Sequence, residues 1–230
     1  MHDSRTCASS PFDEGADDVR RGGHRPSLPR PDRVFPPDSQ PFGLSYGQWS
    51  VRWWEWVFSI PTAVNPAASD NTGALCGVGQ QGPVWNLAGT FSPGPVTRTC
   101  SIPAGRGIFF PVVNGECSTA ENPALTTEAQ LRNCAVSQLQ PVDVLQAELD
   151  GVPIQDLDDF VFQSPLFTYW APADNVVPVP GGPLTSHSVA DGFFVMLKPL
   201  SVGSHTLHFK GGISSVGFII EATYHLHIVP

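Results

Sequence analysis

Phe218-Ile219-Ile220-Glu221-Ala222-Thr223-Tyr224-His225-Leu226-His227-Ile228-Val229 alternates oily and wettable side chains almost without a break. Successive side chains of a β-strand point to opposite faces, so this stretch predicts a strand with one dry side and one wet side. Phe218, Ile220, Ala222, Tyr224, Leu226 and Ile228 share the first, and Glu221, Thr223, His225 and His227 share the second. The preceding run, Ser204–Lys210, alternates in the same way, with His205, Leu207 and Phe209 opposite Thr206, His208 and Lys210. A register that buries both apolar sets together also gathers the polar sets. His208, Glu221, His225 and His227 are therefore expected on one face, with His205 on the core side.

Composition extends this reading to the whole chain. Pro (24) and Gly (22) make up one residue in five of 230, a density of breakers that helical bundles do not tolerate and short strands joined by turns do. Asp150-Gly151 between Val144–Leu149 and Val152–Ile154 is a strong hairpin signal. Further strands are predicted at Val84–Leu87, Val96–Ile102, Ile108–Val113, Phe160–Gln163, Leu166–Trp170 and Gly192–Leu197. Two helices are predicted, each with a capping box: one from Ser45/Gln48 to the stop at Pro61, the other over Thr127–Leu139. The expected fold class is mainly β, a β-sandwich or jelly-roll-like domain with two short helices and two disulfides. Residues 1–41 are polar and Pro-rich and read as a disordered tail, with one domain over residues 42–230.

Cysteines fall at positions 7, 76, 100, 117 and 134, none of them in a C-x-x-C. Cys76–Cys100 and Cys117–Cys134 close the shortest loops among the three possible pairings of the last four. Disulfides imply a secreted or periplasmic protein, although the first 40 residues contain no apolar signal core; four reduced, buried thiols are the alternative. The net charge of −9 and pI of about 5.0 exclude a nucleic-acid partner by electrostatics. No apolar run approaches the roughly 20 residues that span a bilayer. The oligomeric state is not legible.

Several stretches together resemble a family of exported, β-rich bacterial proteins without an assigned activity. They are Tyr46-Gly47-Gln48-Trp49 with Trp53-Trp54, Gly82-Pro83-Val84-Trp85, and Ile102-Pro103-Ala104-Gly105 leading into Phe110-Pro111-Val112. Asn114-Gly115-Glu116-Cys117-Ser118-Thr119 and the segment from His205-Thr206 to Tyr224-His225-Leu226 also match. The resemblance covers residue 45 to the end; it implies a secreted β-rich fold and carries no catalytic residues.

Three constellations could carry chemistry. The His225-x-His227 pair with His208 and Glu221 has the residue types of a transition-metal centre such as Zn or Cu, against the plainer reading of a wet strand face. Glu116, beside a disulfide cysteine, is a candidate catalytic acid. Glu148 or Asp191 would be its partner in glycoside hydrolysis, or Gln80 or Gln81 in peptide chemistry; the plainer reading is a carboxylate capping backbone donors. Trp54, Trp85, Tyr169 and Trp170 are candidates for stacking on sugar rings, and Trp53-Trp54-Glu55-Trp56 for an aromatic platform. The plainer reading of that helix is tryptophan packing against a sheet.

The leading functional expectation is a secreted β-sandwich binding a small molecule, a polysaccharide or another cell-surface polymer through exposed aromatics. A metal-dependent hydrolase or oxidase at the C-terminal histidines is the alternative, and an assembly subunit of an envelope complex the third. Whether the chain is catalytic, and whether it carries a cofactor at all, stay open at this level.

Overall fold

The alternation at the carboxyl terminus is realised as a strand, and that strand lies inside a sheet. In the computed structural model, which describes residues 33–92 and 94–230, ten strands form two five-stranded sheets. The reading of residues 1–32 as a disordered tail, and Cys7 with it, lies outside the described residues.

The first sheet contains β1 (Val84–Asn86), β3 (Gly107–Ser118), β8 (Leu184–Leu197) and β6 (Val161–Gln163), with β7 (Phe167–Ala171) also paired to β8. The second runs β2 (Gly94–Pro103), β10 (Phe218–Val229), β9 (Gly203–Ile213), β4 (Val144–Leu149), β5 (Val152–Pro153). β10 pairs antiparallel with β9 and parallel with β2, and β1 pairs parallel with β3. Ile220, Ala222, Tyr224, Leu226 and Ile228 are all buried, and His225 and His227 are exposed, as the alternation requires. The β4–β5 hairpin turns at Asp150 (φ 54°) and Gly151 (φ 74°), the two left-handed positions that an Asp-Gly hairpin supplies.

The two sheets meet through their inner faces, where Phe110 of β3 stacks on Phe209 of β9 with centroids 4.9 Å apart. The opposite face of the first sheet is covered by α1 (Tyr46–Ser59), whose Tyr46 and Trp49 rings contact Phe109 and whose Phe58 ring lies 4.5 Å from Tyr169. The Ser45 capping box is present as expected, and Asn65 Nδ2 donates to the Val57 and Ile60 carbonyls, groups that the helix end leaves unpaired. α2 (Glu128–Gln138) closes the far end of the inner face, where Leu131 and Ala135 form a small second core with Cys117 and Val189. The disulfides are Cys76–Cys100 and Cys117–Cys134, with Cα atoms 5.9 and 6.0 Å apart.

Three boundaries differ most from the sequence expectation, the others shifting by at most three residues. Val34 bridges Leu197 and the Phe35 amide donates to the Met196 carbonyl, so folded structure begins before residue 42. β3 continues five residues past Val113, and β8 begins eight residues before Gly192. Both extensions are polar (Asn114-Gly115-Glu116, Thr185-Ser186-His187-Ser188), and a hydrophobic-pattern reading takes such residues for loop.

Arg98 of β2 is 1% exposed, the largest fully buried side chain. Its Nε donates to the Asp70 carbonyl, and its Nη1 lies 2.7–2.8 Å from the Ala88 and Gly89 carbonyls and the Tyr224 hydroxyl. Burying a guanidinium costs several kcal/mol, and these four hydrogen bonds from Nε and Nη1 offset that cost. Lysine lacks the planar fork and cannot reach these acceptors together. Arg98→Lys is expected to lose about 3 kcal/mol or more of unfolding free energy in urea with both disulfides intact. A loss under about 1 kcal/mol would show that the fold does not lean on this residue.

Candidate functional site

The wet face of β9 and β10 carries the histidines as the register dictates, and each is held separately. His208 Nε2 lies 3.0 Å from Glu221 Oε1, while Lys210 Nζ approaches the other Glu221 oxygen at 3.1 Å. Together they hold the Glu221 carboxyl below the usual carboxylate range. His225 sits opposite Thr206, and His227 opposite Ser204 with Nδ1 3.3 Å from its hydroxyl. Residues at i and i+2 share a face yet stand most of 7 Å apart, so a shared face is not a shared centre. Among the described residues, no group of three or more His, Cys, Asp or Glu side chains comes together in a way that could hold a metal ion. His205, on the core side, is taken by Asp150 at 2.8 Å.

The aromatic candidates divide by burial. Trp54 is 5% exposed and Tyr169 1% exposed, which corrects their assignment as surface stacking groups; Trp85 is half-buried, and Trp170 stands at the surface at 53%. Trp54 lies off the apolar stripe and is buried nonetheless, because α1 is covered on two flanks. The sheet covers one and the segment from Pro61 to Ala88 the other: Trp53 Nε1 donates to the Leu87 carbonyl and Trp56 Nε1 to the Val78 carbonyl.

That second flank leaves a groove of about 430 Å³ between α1 and the Gly79–Asn86 segment. Trp49, Arg52, Trp56 and Ser59 recur along it at helical spacing, with Glu55 beside them, and Gln81 and Asn86 line the opposite wall. Arg52 Nη1 and Glu55 Oε2 pair at 3.1 Å, a partly solvated contact that can open to a ligand at small cost. Asn86 Oδ1 is buried without a hydrogen-bond partner. Gln80, considered above as a catalytic partner, is instead a staple: its amide bonds Cys76 and Asn86 backbone and holds the groove wall in place. The sequence points to this helix through Trp53-Trp54-Glu55-Trp56, two of which, Glu55 and Trp56, line the groove, while Trp49 and Arg52 were missed; the Trp49-x-x-Arg52-x-x-x-Trp56 spacing was the available signal.

Glu116 has a different partner from either carboxylate foreseen. Cross-strand pairing opposite Phe194, Gly192, Ala190 and Ser188 puts Asn114, Glu116 and Ser118 on the α1 side of the first sheet, after a register shift between Pro111 and Val113. Asp191 is opposite Gly115 on the other side of the same sheet, and Glu148 belongs to the second sheet, opposite His208. Glu121 is the group that hydrogen-bonds Glu116. Ser188 Oγ donates to Glu116 Oε2, Ser118 Oγ donates to Glu121 Oε2 at 2.7 Å, and the Tyr169 hydroxyl donates to Ser118 Oγ at 3.2 Å. Glu116 does not cap backbone donors. Burial and the adjacent Glu121 push its carboxyl up to about 10, so it holds its proton at neutral pH, and burial beside the same two carboxyls pushes Tyr169 to about 12. A neutral buried acid can donate a proton or a hydrogen bond. Here its hydrogen bonds run to Glu121 and Ser188, an arrangement that joins β3, the turn after it and β8.

Comparison with protein-family models, curated proteins and solved structures finds no match to this chain.

The acid pair has a consequence for stability. The unfolded chain releases the Glu116 proton near the ordinary value of 4.5, whereas the folded chain keeps it to about 10. Between those limits the folded state binds more protons, so stability falls as pH rises, by up to about 1.4 kcal/mol per unit for one group. Glu116→Gln removes the titration and keeps an acceptor for Ser188. Thermal unfolding from pH 5 to 9 should show a steep decline for the parent and a shallower one for the variant. Parallel curves would mean that the carboxyl is ionised in the folded protein.

Proposed function

We propose that this chain is an exported, non-catalytic β-sandwich protein that binds a saccharide in the groove along α1. The observation that carries the reading is the groove's polar lining: an Arg–Glu pair on α1 and two carboxamides on the facing wall, above the largely buried rings of Trp49 and Trp56. Guanidinium, carboxylate and amide groups match neighbouring sugar hydroxyls with paired donors and acceptors, while Trp49 and Trp56, 8% and 6% exposed, contribute only a small apolar part of the groove's floor. Ligand sites are commonly concave, largely preformed and of this size, with a few polar groups that orient the ligand. The Trp49 and Trp56 N–H groups donate to the Pro41 and Val78 carbonyls, which fixes both rings before any ligand arrives. Preorganisation of this kind lowers the entropy lost on binding.

Two disulfides support export, since such bonds persist in oxidising compartments. No described helix is long and apolar enough to cross a membrane. The formal charge of −9 disfavours strongly acidic polymers and leaves neutral or weakly charged glycans as the preferred class.

Affinity-gel electrophoresis against a panel of neutral and acidic polysaccharides tests the reading. Retardation on at least one neutral glycan is expected, falling about tenfold or more in an Arg52→Ala/Gln81→Ala variant, which removes two polar contacts without touching the core. Trp170→Ala should migrate like the parent. Absence of retardation across the panel, or loss on Trp170→Ala with the groove variant unaffected, would dismiss the groove as the binding site.

A further inference from the structure

Three of the four indole N–H groups on α1 have backbone carbonyl partners: Trp49 with Pro41, Trp53 with Leu87, Trp56 with Val78. Trp54 Nε1 is buried and has none. Asn114 Nδ2, on the polar row of β3 that faces α1, is also buried and also without a partner. Leaving a donor unpaired and out of water costs about 1–3 kcal/mol, and native proteins rarely do so without a reason.

Both side chains line the same cavity. It holds about 120 Å³ and is enclosed mainly by apolar groups: Trp53, Ala67, Pro111 and Ile220, with the partly exposed Phe218 and the exposed Phe91 at its edge. The volume is a little below the roughly 150 Å³ of an apolar cavity that accepts benzene. No lysine, arginine or histidine lines it. Arg98, whose Nη1 bonds the carbonyl of the wall residue Gly89, is committed as well to the Asp70 and Ala88 carbonyls and to Tyr224. An ionised ligand would have to shed its hydration with no counter-charge, a penalty that neutral N–H donors cannot offset.

We infer that this cavity is a binding site for a small uncharged molecule carrying a carbonyl oxygen, with Trp54 Nε1–H and Asn114 Nδ2–H as its donors and the surrounding rings as its apolar wall. A carbonyl oxygen has two lone pairs and accepts both hydrogen bonds at once. The ligand class is a ketone, ester or amide of about six heavy atoms, set by comparison with benzene. This site lies on a different set of α1 side chains from the groove and does not depend on saccharide binding there.

The test uses the full chain with ¹⁵N-labelled tryptophan, the Trp54 indole resonance being assigned through Trp54→Phe. Cyclopentanone is titrated as the probe, with cyclopentane as a mimic of its shape lacking the acceptor and cyclopentanecarboxylate as the charged counterpart. A saturable downfield shift of the Trp54 N–H is expected with cyclopentanone, at an affinity at least about tenfold above that of either comparison compound. Asn114→Leu, which is close in shape and carries no donor, should weaken cyclopentanone about tenfold and leave cyclopentane unchanged. Gly89, Pro111 and the disulfides are untouched by that change, and an unaltered melting temperature confirms the variant is folded. No saturation with cyclopentanone, equal binding of cyclopentane, or tighter binding of the carboxylate would each overturn the inference. A resident water bridging Trp54 and Asn114, seen as an undisplaceable exchange peak to both N–H groups, would overturn it as well.

Discussion

A single buried cation organises the side of the molecule that matters for binding. Arg98 projects from β2 into the core and gathers the carbonyls of Asp70, Ala88 and Gly89, three points on one long irregular segment, together with the hydroxyl of Tyr224 on β10. Asp70 in turn accepts from the backbone amides of Thr72, Gly73 and Leu75, and its carboxyl stays charged below the usual range: those amides and the Arg98 charge outweigh its own burial. Outside the short β1 this segment has no ladder of its own, so most of its backbone groups need partners from elsewhere. Arg98 provides them, and once the segment is pinned it closes over α1.

Both the groove and the small cavity exist because of that closure. α1 lies against the first sheet through Tyr46, Trp49 and Phe58, and the pinned segment covers its other flank with Val78 and Leu87 as acceptors for indole N–H groups. Cys76–Cys100 ties the same segment to β2, two residues beyond Arg98. The consequence is a helix whose four tryptophans differ in surroundings: Trp49 and Trp56 lie beside the groove, and Trp53 and Trp54 beside the small cavity, where the Trp54 N–H is buried without a partner. A tryptophan-rich helix that merely glued two layers together would have every indole donor paired.

The polar row on β3 and β8 follows from the same layering. Asn114, Glu116 and Ser118 emerge on the α1 side beyond the reach of the large aromatic rings, and their cross-strand neighbours are small: Gly192, Ala190 and Ser188. Small neighbours leave room for polar side chains, and burial then demands that those side chains satisfy one another. Glu116 does so by keeping its proton and sharing hydrogen bonds with Glu121 and Ser188. This end of the sheet is also where Cys117–Cys134 fastens α2 to the opposite face, so the acid pair sits in one of the most constrained parts of the chain.

The residues themselves determined the periodic features: the dry and wet faces of β9 and β10, the Asp150-Gly151 hairpin, both capped helices, and the pairing of four cysteines by shortest loop. Each is a local relation, in which a side chain's direction or a turn's φ follows from a few neighbours in sequence. Only the tertiary structure decided the rest. The histidines share a face, but His208 bonds Glu221, His227 bonds Ser204 and His225 stands opposite Thr206, since face is set by alternation and convergence by lateral distance across the sheet. Glu116 found Glu121, five residues on, through a turn that no periodicity describes, and Asp191 and Glu148 fell on another face and another sheet. Trp54 went inside because a distant segment, held by Arg98, covers a helix flank that the hydrophobic stripe alone would leave in water, and Tyr169 because α1 packs Phe58 over its ring. Burial by remote chain is a property of the assembled layers, and no local pattern records it.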